Sequence, residues 1–253
     1  MSTAVATRSW AEDLEATTFR VADGVAWVGL DRPDAANARN QRMRDELKRL
    51  WNGIAADAEI AVVVLSAAGE KFFCAGMDLK EAGAPETPAE RRDRLRSSRD
   101  IDQLAALPQP TIAAINGYAL GGGLEMALAC DLRIAADHAQ LGLTELVHGL
   151  VPGGGGTQRL PRLVGTARAA EMLYLGLRLP AEQAERWGLV NRVVPIADLE
   201  SAAGEMATAI AGNAPRALRY AKELLRASQD VPVAVGAQLE LDSLLTLMAD
   251  RQT

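Results

Sequence analysis

Histidine and cysteine are scarce in this chain: among 253 residues there are two histidines, His138 and His148, and two cysteines, Cys74 and Cys130. Two histidines leave little from which to build a histidine-based metal site or a Ser-His relay, so no metal site is expected. Two isolated cysteines form neither a disulfide framework nor a metal-spaced pair, which is consistent with a reducing compartment. No uncharged stretch is long enough to span a bilayer, and Met1 to Arg8 lacks the charged start and apolar run of an export signal. A cytoplasmic protein with no membrane partner is expected. Positive charge is also in deficit, with 27 Lys and Arg against 33 Asp and Glu and a formal charge of -6. That balance opposes a general nucleic-acid binder, and any polyanionic ligand must meet a local basic patch. Neither Gly-x-x-x-x-Gly-Lys-Ser/Thr nor a strand-linked Gly-x-Gly-x-x-Gly with an acidic residue at the ribose spacing occurs, which argues against a phosphate-loop NTPase and a dinucleotide-binding dehydrogenase.

Apolar residues make up 49% of the sequence, enough for a sizeable core in the one to two domains that this length suggests. Asp23-Gly24, a type I′ turn dipeptide, separates the strand-like runs Phe19 to Ala22 and Val25 to Leu30 and predicts a hairpin. Met43, Leu47, Leu50, Trp51 and Ile54 recur at helical spacing over Gln41 to Ala56. Thereafter short apolar strands run into glycine and small residues and then into helices. Ala61 to Leu65 leads to Phe73-Cys74-Ala75-Gly76; Thr111 to Ile115 leads to Gly121-Gly122-Gly123; Leu132 to Ala135 leads to a third turn; Val190 to Val194 is a last strand. This alternation predicts an α/β fold with largely parallel pairing. Pro88 to Ala106 reads as one charged helix, with Arg91, Arg92, Arg94, Arg96 and Arg99 forming a solvated face or, alternatively, a phosphate-contacting patch. Helices are expected over Leu199 to Ile210, Pro215 to Ala227 and Val233 to Met248, a tail that must pack on the core or on another subunit.

The glycine triplet carries the chemistry. Placed between the strand ending at Asn116 and the apolar run Leu124 to Ala129, it lets the backbone approach a ligand while the first helical amides stay unpaired. That is an anion site. The turn Cys74 to Asp78 can supply a second free amide, and two converging amides would polarise a carbonyl and stabilise an enolate oxygen. Glu125 stands in the first turn of an apolar helix, where a structural reading, capping of helix amides, is also available. Glu145 stands in the apolar stretch Leu141 to Leu146. Two carboxylates in glycine-bounded apolar segments suggest a paired acid and base, because close carboxylates split their pKa values.

At these residues the chain resembles the crotonase (enoyl-CoA hydratase/isomerase) family, from about Val25 to about Leu247. The most specific blocks are Phe73-Cys74-Ala75-Gly76-Met77-Asp78-Leu79-Lys80-Glu81, Pro110 through Asp131, Val151 through Leu160, and Gly188-Leu189-Val190-Asn191. The resemblance implies a spiral of ββα turns in residues 1–195, holding the coenzyme A (CoA) and active sites, followed by a helical region in 196–253 that builds trimers, commonly paired into hexamers. It implies no permanently bound cofactor, with CoA entering as part of an acyl-CoA substrate. The thioester oxygen would sit between Met77 N–H and Gly122 N–H, and Asp78, Leu79, Lys80, Arg32 and Ala36 would line the CoA path. Hydratases of the family hold both glutamates, here Glu125 and Glu145, whereas single-carboxylate isomerases retain one. The resemblance therefore implies a hydratase in which both glutamates hold a water, Glu125 helps deprotonate it as it attacks Cβ, and Glu145 supplies the proton to Cα. Isomerisation of 3-enoyl-CoA, or dehydration of a carnitinyl-type substrate, is the alternative within the family; a non-catalytic CoA-thioester or RNA-binding protein is the alternative outside it. Gly142-Leu143 and the run Gly153 to Gly156 with Gln158 to Pro161 are similar to the methylglutaconyl-CoA hydratase branch. Some of that branch bind RNA through first-helix lysines, but Asp45 and Glu46 interrupt Arg42, Arg44, Lys48 and Arg49 here, so no nucleic-acid partner is expected. Met77 replaces a common alanine and His148 a common aliphatic residue, both beside the expected acyl pocket.

Overall fold

The structure, a computed structural model, describes residues 8–78, 80–81, 87–97 and 99–250. The hairpin forms as expected: β1 (Thr17–Ala22) pairs antiparallel with β2 (Val25–Leu30). Asp23 and Gly24 take φ of 50° and 76°, the two positive values that a type I′ turn requires. Helix α1 (Gln41–Ala56) begins at Asn40, whose side chain accepts the Met43 N–H at 2.9 Å. Its five apolar residues at helical spacing are all buried.

The ββα turns deal one strand each to two sheets. β3 (Val62–Ala67) is followed by β4 (Phe72–Cys74), β5 (Thr111–Ile115) by β6 (Tyr118–Leu120), and β7 (Leu132–Ala136) by β8 (Gln140–Gly142). The first sheet runs β1-β2-β3-β5-β7-β10, with β10 at Arg192–Val194, and every pair after the hairpin is parallel. The second runs β4-β6-β8-β9, with β9 at Leu179–Pro180 antiparallel on its edge. Every residue of β2 and β5 is buried, as in a parallel sheet covered on both faces. This is the expected α/β architecture. The strand leading into the glycine triplet, however, is β6, not the one ending near Asn116, because a second-sheet strand intervenes.

Pro88 to Ala106 is not one helix. It divides into α2 (Pro88–Ser97) and α3 (Asp100–Ala106). The physical reason is a change of environment: Arg91, Arg92, Arg96 and Arg99 face solvent, whereas Asp100, Ile101 and Leu104 turn into the core. Helices α4 (Gly122–Ala129), α5 (Gly156–Val164), α6 (Thr166–Leu175) and α7 (Ala181–Arg186) complete the central part. The last strand starts at Arg192 rather than Val190, since the Leu189 and Val190 amides donate to Ala184 O.

Helix α8 (Leu199–Ala211) lays Leu199, Ala202, Ala203 and Ala207 against β3, β5 and β7. α9 (Pro215–Ala227) is tied to the core by buried Lys222, which donates to Gln109 O and reaches Asp131 Oδ2, both at 2.7 Å. α10 (Val233–Asp250) packs on α9 and leaves Leu241, Leu244, Leu245 and Met248 exposed.

Candidate active site

The ends of β4 and β6 bring the two glycine turns together. A Cβ built on Gly76 would stand 3.2 Å from Gly122 N, and one on Gly122 would stand 3.5 Å from Gly76 Cα. A Cβ on Gly123 would overlap the Cys74 carbonyl, so α4 can start this close to β4 only with glycine there. The Asp78 N–H donates to Arg39 O and the Gly121 N–H to Gly142 O, at 3.2 and 2.8 Å. Between and beside these bonded amides, Met77 N–H and Gly122 N–H have no acceptor among the described residues. Gly122 is the first residue of α4, whose leading amides carry the positive end of the helix dipole. The two turns thus present two free donors side by side.

Glu125 lies one turn into α4 and is 3% exposed. Its Oε1 accepts the Gly154 and Gly156 amides at 2.6 and 2.9 Å, so the loop before α5 grips one oxygen. The other oxygen has no donor among the described residues. Glu145 opens a short 3-10 turn, Glu145–His148, and its Oε1 lies 3.2 Å from where a Cβ on Gly121 would stand. Its Oε2 is buried without a partner. Burial pushes the Glu145 carboxyl above the usual glutamate range, the charge of Glu125 adds to the rise, and its own backbone N–H partly offsets it. The Glu145 carboxyl therefore lies within the field of the Glu125 charge.

Four of the residues expected along the CoA path, Arg32, Ala36, Asp78 and Lys80, gather at the Gly76 turn. Arg32 Nη1 pairs with Asp78 Oδ2 at 3.0 Å and donates to Ala38 O at 2.6 Å. Burial pushes the Asp78 carboxyl up, but the Arg32 hydrogen bond and the Lys80 amide outweigh it and hold the group below its ordinary value. Ala36 adopts left-handed backbone at φ 54° and accepts the Ala75 N–H at 3.1 Å. Leu79 lies outside the described residues. Met77, in the Gly76 turn, and His148, at the end of the 3-10 turn that Glu145 opens, are both exposed.

Sequence reasoning passed over four contributors. Asn37 is fully buried; its Oδ1 accepts the Arg32 amide and its Nδ2 donates to Ala68 O and Phe72 O, which fixes the 32–38 loop. The Asn is detectable in principle, since Asn tolerates the left-handed φ of 50° it adopts. Arg39 and Asp100 form a buried ion pair at 2.5 Å beneath the glycine turns, from segments 61 residues apart that no local pattern connects. Gly154 serves Glu125 through its amide, a role the glycine run hinted at without naming the partner.

The enoyl-CoA hydratase/isomerase family profile matches residues 20–251. The chain belongs to the enoyl-CoA hydratase/isomerase family. The (E)-benzylidenesuccinyl-CoA hydratase of Thauera aromatica is 42% identical over 219 residues, covering 87% of this chain and 85% of that protein. The short-chain-enoyl-CoA hydratase of Clostridium acetobutylicum is 38% identical over 226 residues, covering 89% and 84%. Among solved structures, the enoyl-CoA hydratase of Bacillus anthracis superposes with a TM-score of 0.89 at 43% identity, covering 93% of this chain and 92% of that one. The spiral of paired strands and the helical C-terminal part of this family member are thus those of known enoyl-CoA hydratases.

Proposed function

We propose that this family member is a 2-enoyl-CoA hydratase, and the observation that carries the reading is the approach of Glu145 to Gly121, beside two unengaged amides and within the field of Glu125. The Met77 and Gly122 N–H groups receive the thioester oxygen of an acyl-CoA, and Arg32, Ala36, Asp78, Leu79 and Lys80 line the path of its CoA part. A water held between the two carboxylates adds its oxygen to Cβ. Its proton passes to Glu125, and the π electrons of the Cα–Cβ bond move onto the thioester oxygen. They return to Cα as Glu145 delivers its proton there. Proton exchange across the carboxylate pair then restores the starting state, so one water is consumed and no other reagent. A carboxyl held above its ordinary pKa suits a proton donor near neutral pH. Two preorganised amides suit the developing enolate, and removing one such donor costs about 3 kcal/mol in other enzymes.

We further propose that residues 1–195 carry this site, that the helices of 196–253 build a homotrimer or hexamer, and that the enzyme is cytoplasmic. The exposed apolar residues of α10 support the assembly reading. The basic side chains of α1 speak against an RNA surface: Arg44 is buried and donates to Arg39 O, Arg42 pairs with Glu46 and Glu15, and Lys48 with Asp45.

The test is loss of enone absorbance on mixing with crotonyl-CoA, longer-chain, branched and carboxylated enoyl-CoA thioesters. Turnover that vanishes in Glu145→Gln is expected. No substrate turning over faster than in that variant refutes hydration, and conversion of a 3-enoyl-CoA without uptake of labelled water moves the assignment to isomerase.

A further inference from the structure

Residue 39 touches both halves of the donor pair. Its N–H donates to Gly76 O at 2.8 Å and its C=O accepts the Asp78 N–H at 3.2 Å, a parallel bridge centred on Met77. Consecutive amides of an extended segment point to opposite sides, so these two bonds leave Met77 N–H directed away from the Arg39 backbone. The side chain lies against the residue that carries the other donor: Nη1 is 3.0 Å from where a Cβ on Gly122 would stand. Asp100, in the first turn of α3, holds Nη2 at 2.5 Å.

The pair is a poor device for stability alone. The side chains are 9% and 1% exposed, and Arg39 Nε and Asp100 Oδ2 are buried with no partner among the described residues. Well-packed apolar residues stabilise a core as well as or better than such a pair. A cation beside the first residue of a helix is also unfavourable in itself, because the helix N-terminus is already positive. Asp100 offsets part of this in the resting protein. Negative charge gathering on an oxygen between Met77 and Gly122 would offset more of it, so the arrangement favours the charged intermediate over the resting state. The Cys74 thiol, pushed up to about 11 by burial, is drawn back by Arg39, so the guanidinium's field reaches the turn.

We infer that the Arg39 side chain is a positioning group for the reaction: while the main chain of residue 39 holds the Met77 turn, its guanidinium packs against Gly122, fixes that amide relative to Met77 and adds its positive field there, with Asp100 locking its orientation. The inference rests on the oxyanion role given to those amides under Proposed function.

The test compares wild type, Arg39→Lys and the double variant Arg39→Leu/Asp100→Leu, whose apolar pair avoids stranding a buried carboxylate. Steady-state hydration is measured in each. The thioester C=O stretch of bound enoyl-CoA, carbon-13 labelled at the carbonyl, is measured by Raman difference spectroscopy in a Glu145→Gln background, where turnover does not intervene. The expected result is a kcat lowered about 10- to 100-fold in the double variant, with KM within about twofold of wild type, and a smaller downshift of the C=O stretch. Arg39→Lys should fall between the two and decides the matter should the double variant not fold. A wild-type downshift retained in full, with unchanged kcat, overturns the role of Arg39 and leaves the oxyanion site standing. Absence of any downshift in the parent enzyme overturns the oxyanion site, and the role of Arg39 with it.

Discussion

Gly121 and Glu145 stand in direct opposition across the glycine turn: a Cβ on Gly121 would lie 3.2 Å from Glu145 Oε1, and Gly121 holds φ 52° and ψ -124°. An L-residue is strained in that conformation, and the carboxylate opposite would have to give way. Gly121→Ala is expected to cost about 1–3 kcal/mol of stability, read from the denaturant midpoint. It should also lower hydration kcat more than acyl-CoA affinity, because the displaced group is Glu145 rather than the CoA path. A variant with wild-type kcat would mean that Glu145 does not act from this position.

Glu145 also links activity to stability through pH. Burial, with the Glu125 charge, raises its carboxyl above the ordinary range. For such a group the stabilising contribution is full below the unfolded-state pKa of about 4.3 and is lost as pH rises through the higher folded-state value. Glu145→Gln has no carboxyl to ionise there. Relative to wild type it is therefore expected to gain stability between about pH 4 and neutrality while losing hydration by about 10²- to 10⁴-fold. Thermal unfolding across that range checks the sign; a gap that does not widen with pH would count against a strained, ionisable Glu145.

The hairpin, α1 and the parallel strands were legible in the sequence because each has a local cause: a turn dipeptide with two positive φ values, a 3.6-residue apolar period, or a β-branched run. The second sheet was not. β4, β6 and β8 are three residues each, too short for any period to register, and they are defined by their neighbours in space. The break between α2 and α3 escaped for a related reason, since Asp100 turns inward to meet Arg39, a partner that lies far away in sequence. The two glutamates stood out as charges inside apolar segments. What each faces, the amides of Gly154 and Gly156 for one and the open side of Gly121 for the other, depends on loop placement that no spacing encodes.

Gly154 tests the other carboxylate. Its amide donates to Glu125 Oε1 at 2.6 Å, and a Cβ on it would come within 2.6 Å of Glu125 Oε2 and 2.8 Å of Ile101 Cδ1. Gly154→Ala is therefore expected to push Glu125 off its two amides. The chemical step should slow by about 10-fold or more, with CoA-product affinity nearly unchanged, since a displacement on the ångström scale has effects of that order or larger. Single-turnover hydration set beside calorimetric CoA binding separates the two. Equal losses in both would point to collapse of the loop instead.

Lys222 tests how α9 is attached. It is 6% exposed and is the buried residue of that helix, bridging Gln109 O and Asp131 Oδ2, while Asp131 also accepts the amide and hydroxyl of Thr111 at 2.7 and 2.9 Å. Burial pulls the Lys222 ammonium below its usual pKa and Asp131 pulls it back up only in part, so the residue is held by directed bonds rather than by solvation. Lys222→Met strips one partner from Asp131 and from the Gln109 carbonyl, both of which remain, and is expected to cost about 1–3 kcal/mol. Asp131→Asn in the same chain should cost less than it does in wild type, with a coupling of about 0.5–3 kcal/mol in a double-mutant cycle. Additive losses would mean that the Lys222–Asp131 pair contributes nothing to holding α9 and that the bond to Gln109 O and the apolar contacts of the helix hold it instead.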